Sequence, residues 1–296
     1  MSTVRADPVA LEKPWAYVVL LKPDVTFLVV ITTIAGFYLG ARGPLDWARL
    51  MHTLFATILV AGGTAALNQY LERGMDAVMR RTASRPLPAG ILRPTEALRF
   101  GVALIAAGIL WLALAVNALS AFIALATSAL YLALYTPLKT RTTLATVVGA
   151  VPGALPPLIG WAAARGALST GAWILFAILF FWQFPHFFAI AWMYREDYAR
   201  AGIRMLPVVE RSGDATFRQI VAASAILVPV SLLPSVAGMA GMRYFTAALI
   251  LGMCLLQVSL WANRSRTNLR AKWLMHATVA HIPILLVIMI FDKLTR

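Results

Sequence analysis

Apolar residues recur along this chain in runs of about 20, parted by short charged or Pro/Gly-rich breaks. Runs of that length suit helices that cross a bilayer. Nine are predicted, at about residues 17–40, 49–71, 97–116, 118–136, 144–163, 171–193, 217–238, 243–262 and 273–291. The expected fold class is all-α, a polytopic membrane protein with nine transmembrane helices in a single bundle. No low-complexity tract or linker divides it, so residues 1–296 read as one transmembrane domain. The opening residues 1–14 form a short tail without the marks of a cleavable signal or a transit segment.

Composition agrees with that pattern. Hydrophobic residues make up 60% of the chain and charged residues 13%, about half the charge of a soluble protein. The lone cysteine, Cys254, excludes an intrachain disulfide and a Cys-rich metal site. The net charge of +14 would suggest nucleic acid in a soluble protein. In a membrane protein it can reflect topology, anionic lipid or an anionic substrate.

The nine spans divide the charge. The tail and every second loop hold 20 of the 26 basic residues, from Arg5, Lys13 and Lys22 to Lys272; the other side holds Arg42, Arg49, Arg165, Arg243, Lys293 and Arg296. This asymmetry puts the N-terminus in the cytoplasm and the C-terminus on the opposite side. Ten of the twelve acidic residues share the cytoplasmic side, all but Asp46 and Asp292. Topology does not demand that, whereas a site at one membrane face does.

Two polar constellations fall there. Asn68, Glu72 and Asp76 run through the end of the second span at i, i+4 and i+8; if the helix continues, they stack on one face at about 6 Å per step. Mg²⁺ accepts such oxygens, commonly one or two carboxylates with water and substrate phosphate. The plainer reading is an interfacial helix end, with Asp76 paired to Arg80 and Glu72 to Arg73. The second constellation closes the sixth span: Trp182–Phe187, with His186 among apolar residues, then Arg195, Glu196, Asp197, Tyr198 and Arg200. Solvated loop salt bridges would account for it locally. Two acidic clusters on one face, each followed by arginines, could instead hold Mg²⁺ and a diphosphate together. Between them Tyr135 and Lys139 supply a phenol and a cation, or simply snorkelling anchors. The fifth span carries Gly149, Pro152, Gly153, Pro156, Pro157 and Gly160, which predicts a kink and close helix contact.

At these residues the chain resembles the UbiA-type intramembrane prenyltransferases, and within them the haem O synthase (protohaem IX farnesyltransferase) branch. The matching strings are N-Q-Y-L-E-x3-D-x2-M-x-R-T-x2-R-P-L at Asn68–Leu87, Y-T-P-L-K at Tyr135–Lys139, the Gly/Pro run Gly149–Trp161, and W-Q-F-P-H-F with R-E-D-Y-x-R-A-G at Trp182–Gly202. They occur in the family's order and span nearly the whole chain. The resemblance implies an active site opening to the cytoplasmic face of a bacterial inner membrane. It implies farnesyl transfer from farnesyl diphosphate to the 2-vinyl group of haem B, a substrate here and not a prosthetic group, with Mg²⁺ as cofactor. Asn68, Glu72 and Asp76 would be the first metal–diphosphate motif, and Asp197 with Glu196 the second. Arg81, Arg85, Lys139 and Arg200 would contact diphosphate, and Tyr135, Tyr198 and His186 would contact substrate. Haem A synthase or a terminal oxidase in assembly would be protein partners. Many superfamily members have a second acid four residues after the first of that motif; here Ala201 stands there.

The implied chemistry is electrophilic alkylation, in which no side chain acts as nucleophile. Phe184, Phe187 or Trp192 could shield a farnesyl cation through their π faces, or serve only as lipid- or core-facing aromatics. A histidine inside a span invites a functional reading, so His186 is a haem-contact candidate, with a structural histidine beside Pro185 as the alternative. A quinone-precursor prenyltransferase is the same-class alternative to haem farnesylation. A transporter is the other class, weakened because transporters bind near the midplane and these acids lie towards one interface.

Overall fold

A computed structural model describes residues 12–294, and the regular elements among them are all helices. Tail residues 1–11, Arg5 included, and Arg296 lie outside the described residues. A short helix α1 (Lys13–Leu20) precedes α2 (Pro23–Gly40), α3 (Trp47–Val78), α4 (Pro94–Ala115) and α5 (Ala118–Ala129). A π-helical turn, Leu130–Tyr135, continues α5 into the single turn α6 (Thr136–Leu138). Then come α7 (Ala145–Ala154), α8 (Pro156–Arg165) and α9 (Thr170–Met193). Two short helices, α10 (Arg195–Arg200) and α11 (Leu206–Val209), lead to α12 (Asp214–Val236), α13 (Met242–Ser265) and α14 (Asn268–Phe291).

Among the described residues, nine helical spans are long and apolar enough to cross a membrane, with α5–α6 and α7–α8 each counted as one. The protein is a multi-pass membrane protein. Large apolar side chains such as Leu114, Phe122, Ile250 and Phe291 face outward, as a lipid-facing surface requires.

Two helix limits depart furthest from the sequence expectation. The first span begins at Pro23, not at 17, because Lys22 takes a left-handed conformation (φ +47°) that ends the preceding helix. Proline disfavours helical backbone in the residue before it and is preorganised for the first helical position. The second span runs on to Val78, past the expected end at 71, and so carries Glu72 and Asp76 on a continuous helix.

The Gly/Pro run breaks where expected. Pro156 opens α8 directly after α7, and Gln183 of α9 donates from Nε2 to the carbonyl of Ala150 at 2.9 Å, filling backbone valence beside the break. Helix α8 crosses α2 almost backbone to backbone. A Cβ at Gly36 would overlap the Pro157 carbonyl, and one at Gly160 would overlap that of Thr33. Helix α9 packs against α7, α12 and α14 and forms the centre of the larger apolar core.

At the far end of α2, Arg165 Nε donates to the Gly40 carbonyl at 2.7 Å, and Lys293 Nζ donates to Tyr38 and Ala41 at 2.6 and 2.8 Å. Cations suit a helix C-terminus, where carbonyls lack partners.

Candidate active site

Helix α3 builds the floor of the site. Its row of Asn68, Glu72 and Asp76 is buried, with side chains turned into a cavity of ≈ 240 Å³. Buried carboxylates need counter-charges, and each finds one from a different segment. Lys139, just past α6, donates to Glu72 Oε1 at 2.5 Å. Arg85, on the loop after α3, donates from one nitrogen to both Asp76 oxygens, at 2.9 and 2.8 Å. Lys22, at the left-handed turn before α2, donates to Asn68 Oδ1 at 2.8 Å. The pairs Asp76–Arg80 and Glu72–Arg73 do not form. Arg80 is exposed, and Arg73 turns to the Tyr70 carbonyl and ring.

These cations are electrostatically crowded. Burial, with Arg85 and Lys139 nearby, lowers the Lys22 ammonium to about 7. Burial also opposes charge on Lys139, but Tyr135 and Glu72 more than offset it, so Lys139 titrates above the ordinary lysine range. Arg81 lines the same cavity with its guanidinium 5.0 Å from the Tyr194 ring centroid.

Aromatic rings form the walls. Tyr131 and Tyr135 emerge together from the π-helical turn with ring centroids 5.1 Å apart, and Lys139 Nζ lies 4.4 Å from the Tyr135 ring. Pro137 has no N–H to give Ala133, which accounts for the widened turn ahead of it. Phe187 from α9 and Tyr198 from α10 complete the walls. Ile203 and Met205 also line the cavity and pack with Met79 and Ala191 as an apolar cluster. A 2.7 Å bond from Arg204 N to the Lys139 carbonyl stitches that segment to the cation-bearing turn.

The second acidic cluster is divided by its helix. Successive residues on an α-helix turn by about 100°, and on α10 it is Tyr198 that lines the cavity. Asp197 is buried and paired with Arg200, while Glu196 and Arg200 are exposed. Other aromatics are held elsewhere. Trp192 Nε1 donates to the Arg266 carbonyl at 2.9 Å, and Phe184 packs on Phe180 with centroids 5.2 Å apart. His186 stacks on Trp182 (5.0 Å) and shares a 2.9 Å hydrogen bond through Nδ1 with Thr278 Oγ1, outside the cavity lining.

Sequence reading missed Lys22 and Tyr131 as site residues. Lys-Pro at a helix start signals the turn that aims Lys22 inward. Tyr131 stands one turn before Tyr135, a spacing visible in the sequence, but the π-turn that sets both rings in the cavity was not.

Residues 29–282 match the UbiA prenyltransferase family. The chain belongs to that family. Relatives similar to it over nearly their whole length include the protoheme IX farnesyltransferase of Solibacter usitatus (strain Ellin6076), 49% identical over 94% of this chain and 98% of the relative. That of Koribacter versatilis (strain Ellin345) is 45% identical over 99% of each. Among solved structures, a digeranylgeranylglyceryl phosphate synthase superposes with a TM-score of 0.78 at 18% identity, covering 95% of this chain and 98% of the other. A UbiA homolog from Archaeoglobus fulgidus bound to GPP and Mg²⁺ gives 0.66 at 16% identity, covering 93% and 99%. At such identities the likeness is one of fold, and it extends over nearly all of the helical architecture described above.

Proposed function

We propose that this UbiA-family enzyme farnesylates haem B, joining C1 of farnesyl diphosphate to the 2-vinyl group and adding water, to give haem O and diphosphate. The observation that carries the reading is the single cavity in which Asn68, Glu72 and Asp76 meet Lys22, Arg85 and Lys139 beneath aromatic walls. The names of the whole-length relatives supply the farnesyl donor and the haem acceptor.

The oxygen donors fit a divalent cation. Among the described residues no three acids or histidines converge tightly enough to hold a metal by themselves. Mg²⁺ asks for less, binding through one or two carboxylates and completing its shell with water and substrate phosphate. Asn68, Glu72 and Asp76 would hold it, with Asp197 the second-motif acid whose burial beside Tyr198 suits that role better than exposed Glu196. When bound, the ion supplies positive charge opposite the departing diphosphate.

The chain's own groups account for the rest. Arg85 and Lys139 neutralise carboxylates in this structure, Lys22 holds the Asn68 amide, and all three line the cavity from which they would turn to phosphoryl oxygens; Arg81 lines it with them, and exposed Arg200, paired with Asp197, would join them. As the C1–O bond breaks, the electron pair leaves with diphosphate, and the allylic cation is faced by the rings of Tyr131, Tyr135, Phe187 and Tyr198. The vinyl carbon attacks C1. Water then adds to the resulting cation and loses a proton, leaving the hydroxyethyl carbon. The apolar lining from Ile203 and Met205 would disfavour earlier attack by water.

The proposal extends to place and partners. The excess of basic residues on one side supports a bacterial inner-membrane orientation with a cytoplasmic N-terminus and site, and an opposite C-terminus. Residues 1–296 would act as one catalytic domain, passing haem O to haem A synthase or to a terminal oxidase in assembly. The test is to incubate purified protein with haem B, farnesyl diphosphate and Mg²⁺ and to seek haem O by mass. No product from active preparations, or undiminished product from Asp76→Ala, would overturn the reading; prenylation of a quinone precursor alone would reassign the acceptor.

A further inference from the structure

Asn68 can serve the site only if its carbonyl oxygen faces the cavity; a half-turn of the amide would present its NH₂ instead. Neighbours fix the choice. On one side Lys22 Nζ donates to Asn68 Oδ1 at 2.8 Å. On the other side Thr136 Oγ1 lies 3.3 Å from Nδ2, in a contact that is buried at both ends. The Thr136 hydroxyl has one proton, and it goes to the Tyr131 carbonyl at 2.9 Å. That carbonyl also takes the Thr136 N–H, which closes the π-helical turn. The hydroxyl oxygen is thus left as an acceptor, matched to an NH₂ and mismatched to a carbonyl oxygen.

We infer that Thr136 is a positioning residue that locks the Asn68 amide with Oδ1 toward the cavity. The inference rests on the reading of Asn68 as a donor to metal and diphosphate. The π-helical turn is what makes it work: it commits the Thr136 proton to Tyr131, so the hydroxyl can only receive from Asn68. When Lys22 turns to a phosphoryl oxygen, Thr136 becomes the remaining anchor of the amide. No role for Thr136 follows from the sequence, where it is the small residue between Tyr135 and Pro137.

The test measures Mn²⁺ binding by the free-ion paramagnetic resonance signal, with the full-length protein in detergent and farnesyl thiodiphosphate present. Thr136→Val keeps the shape and removes the hydroxyl. It is expected to weaken Mn²⁺ binding about 10–100-fold, as loss of an orienting partner does, and Thr136→Ser is expected to restore it. In an Asn68→Asp background, whose two oxygens are equivalent, Thr136→Val should cost little. Thr136→Ala repeats the measurement if the valine variant does not fold. Wild-type affinity in both Thr136→Val and Thr136→Ala, or an equal loss in the Asn68→Asp background, would overturn the inference and leave the reading of Asn68 standing. Unchanged affinity in Asn68→Ala would instead overturn the reading of Asn68, and the inference with it.

Discussion

Arg85 reaches back nine residues to set one guanidinium nitrogen against both carboxylate oxygens of Asp76, at 2.9 and 2.8 Å, where the acid is wholly buried. Removing one partner of a buried pair leaves an uncompensated charge, which costs about 3–5 kcal/mol. Arg85→Ala should therefore lower the melting temperature of the detergent-purified protein. Adding Asp76→Asn should return much of that stability while leaving the enzyme inactive. A double variant no more stable than Arg85→Ala would contradict the pairing.

Lys139 and Glu72 form the second buried pair, beside the Tyr135 ring. A cation placed to stabilise leaving-group charge is worth about 10²–10³ in kcat. Lys139→Met is expected to lose that much in steady-state haem O formation. Glu72→Gln should shift the Mg²⁺ dependence to higher concentration. A kcat within a few-fold of wild type for Lys139→Met would remove it from the chemistry.

Ile203 lines the cavity without contributing a polar group. If this apolar lining excludes water, Ile203→Ser should raise the ratio of farnesol to haem O, because hydrolysis then competes for the allylic cation. Chromatography of the prenyl products reads this directly, and an unchanged ratio would assign Ile203 a purely structural part.

Helices α2 and α8 leave no room for a methyl group at Gly160. Gly160→Ala is expected to cost about 1–3 kcal/mol through overpacking, at a position outside the cavity lining. Thermal stability should fall while the KM for farnesyl diphosphate in the surviving folded fraction stays constant.

His186 is fastened to Trp182 and Thr278 outside the cavity lining. His186→Phe should keep the stack, lose one hydrogen bond worth about 1 kcal/mol, and leave the KM for farnesyl diphosphate unchanged. A spectral change in bound haem with this variant would bring His186 back as a haem contact.

What the sequence disclosed follows from the length scale of each signal. Spans are set by runs of about 20 apolar residues, so all nine were legible, and the i, i+4, i+8 row of Asn68, Glu72 and Asp76 survived because α3 continues through it. Pairing partners were not legible. Arg80 and Arg73 are nearer in sequence, yet Arg85 and Lys139 win because the chain folds back over the helix end. The second acidic cluster divides in phase: three adjacent residues cannot share one direction on α10, and Tyr198 is the one that lines the cavity. The π-helical turn, a local change of hydrogen-bond register, was invisible until its carbonyls could be followed.

The capping of α2 by Arg165 and Lys293 bears on the membrane's electrical profile. Of the six basic residues on the sparsely charged side, these two hold helix carbonyls, so their charge is partly absorbed by the negative end of a helix dipole. Arg165 and Lys293 thus serve the fold as the C-terminal cap of α2, and a tally of lysines and arginines overstates the free positive charge that this end of the bundle presents.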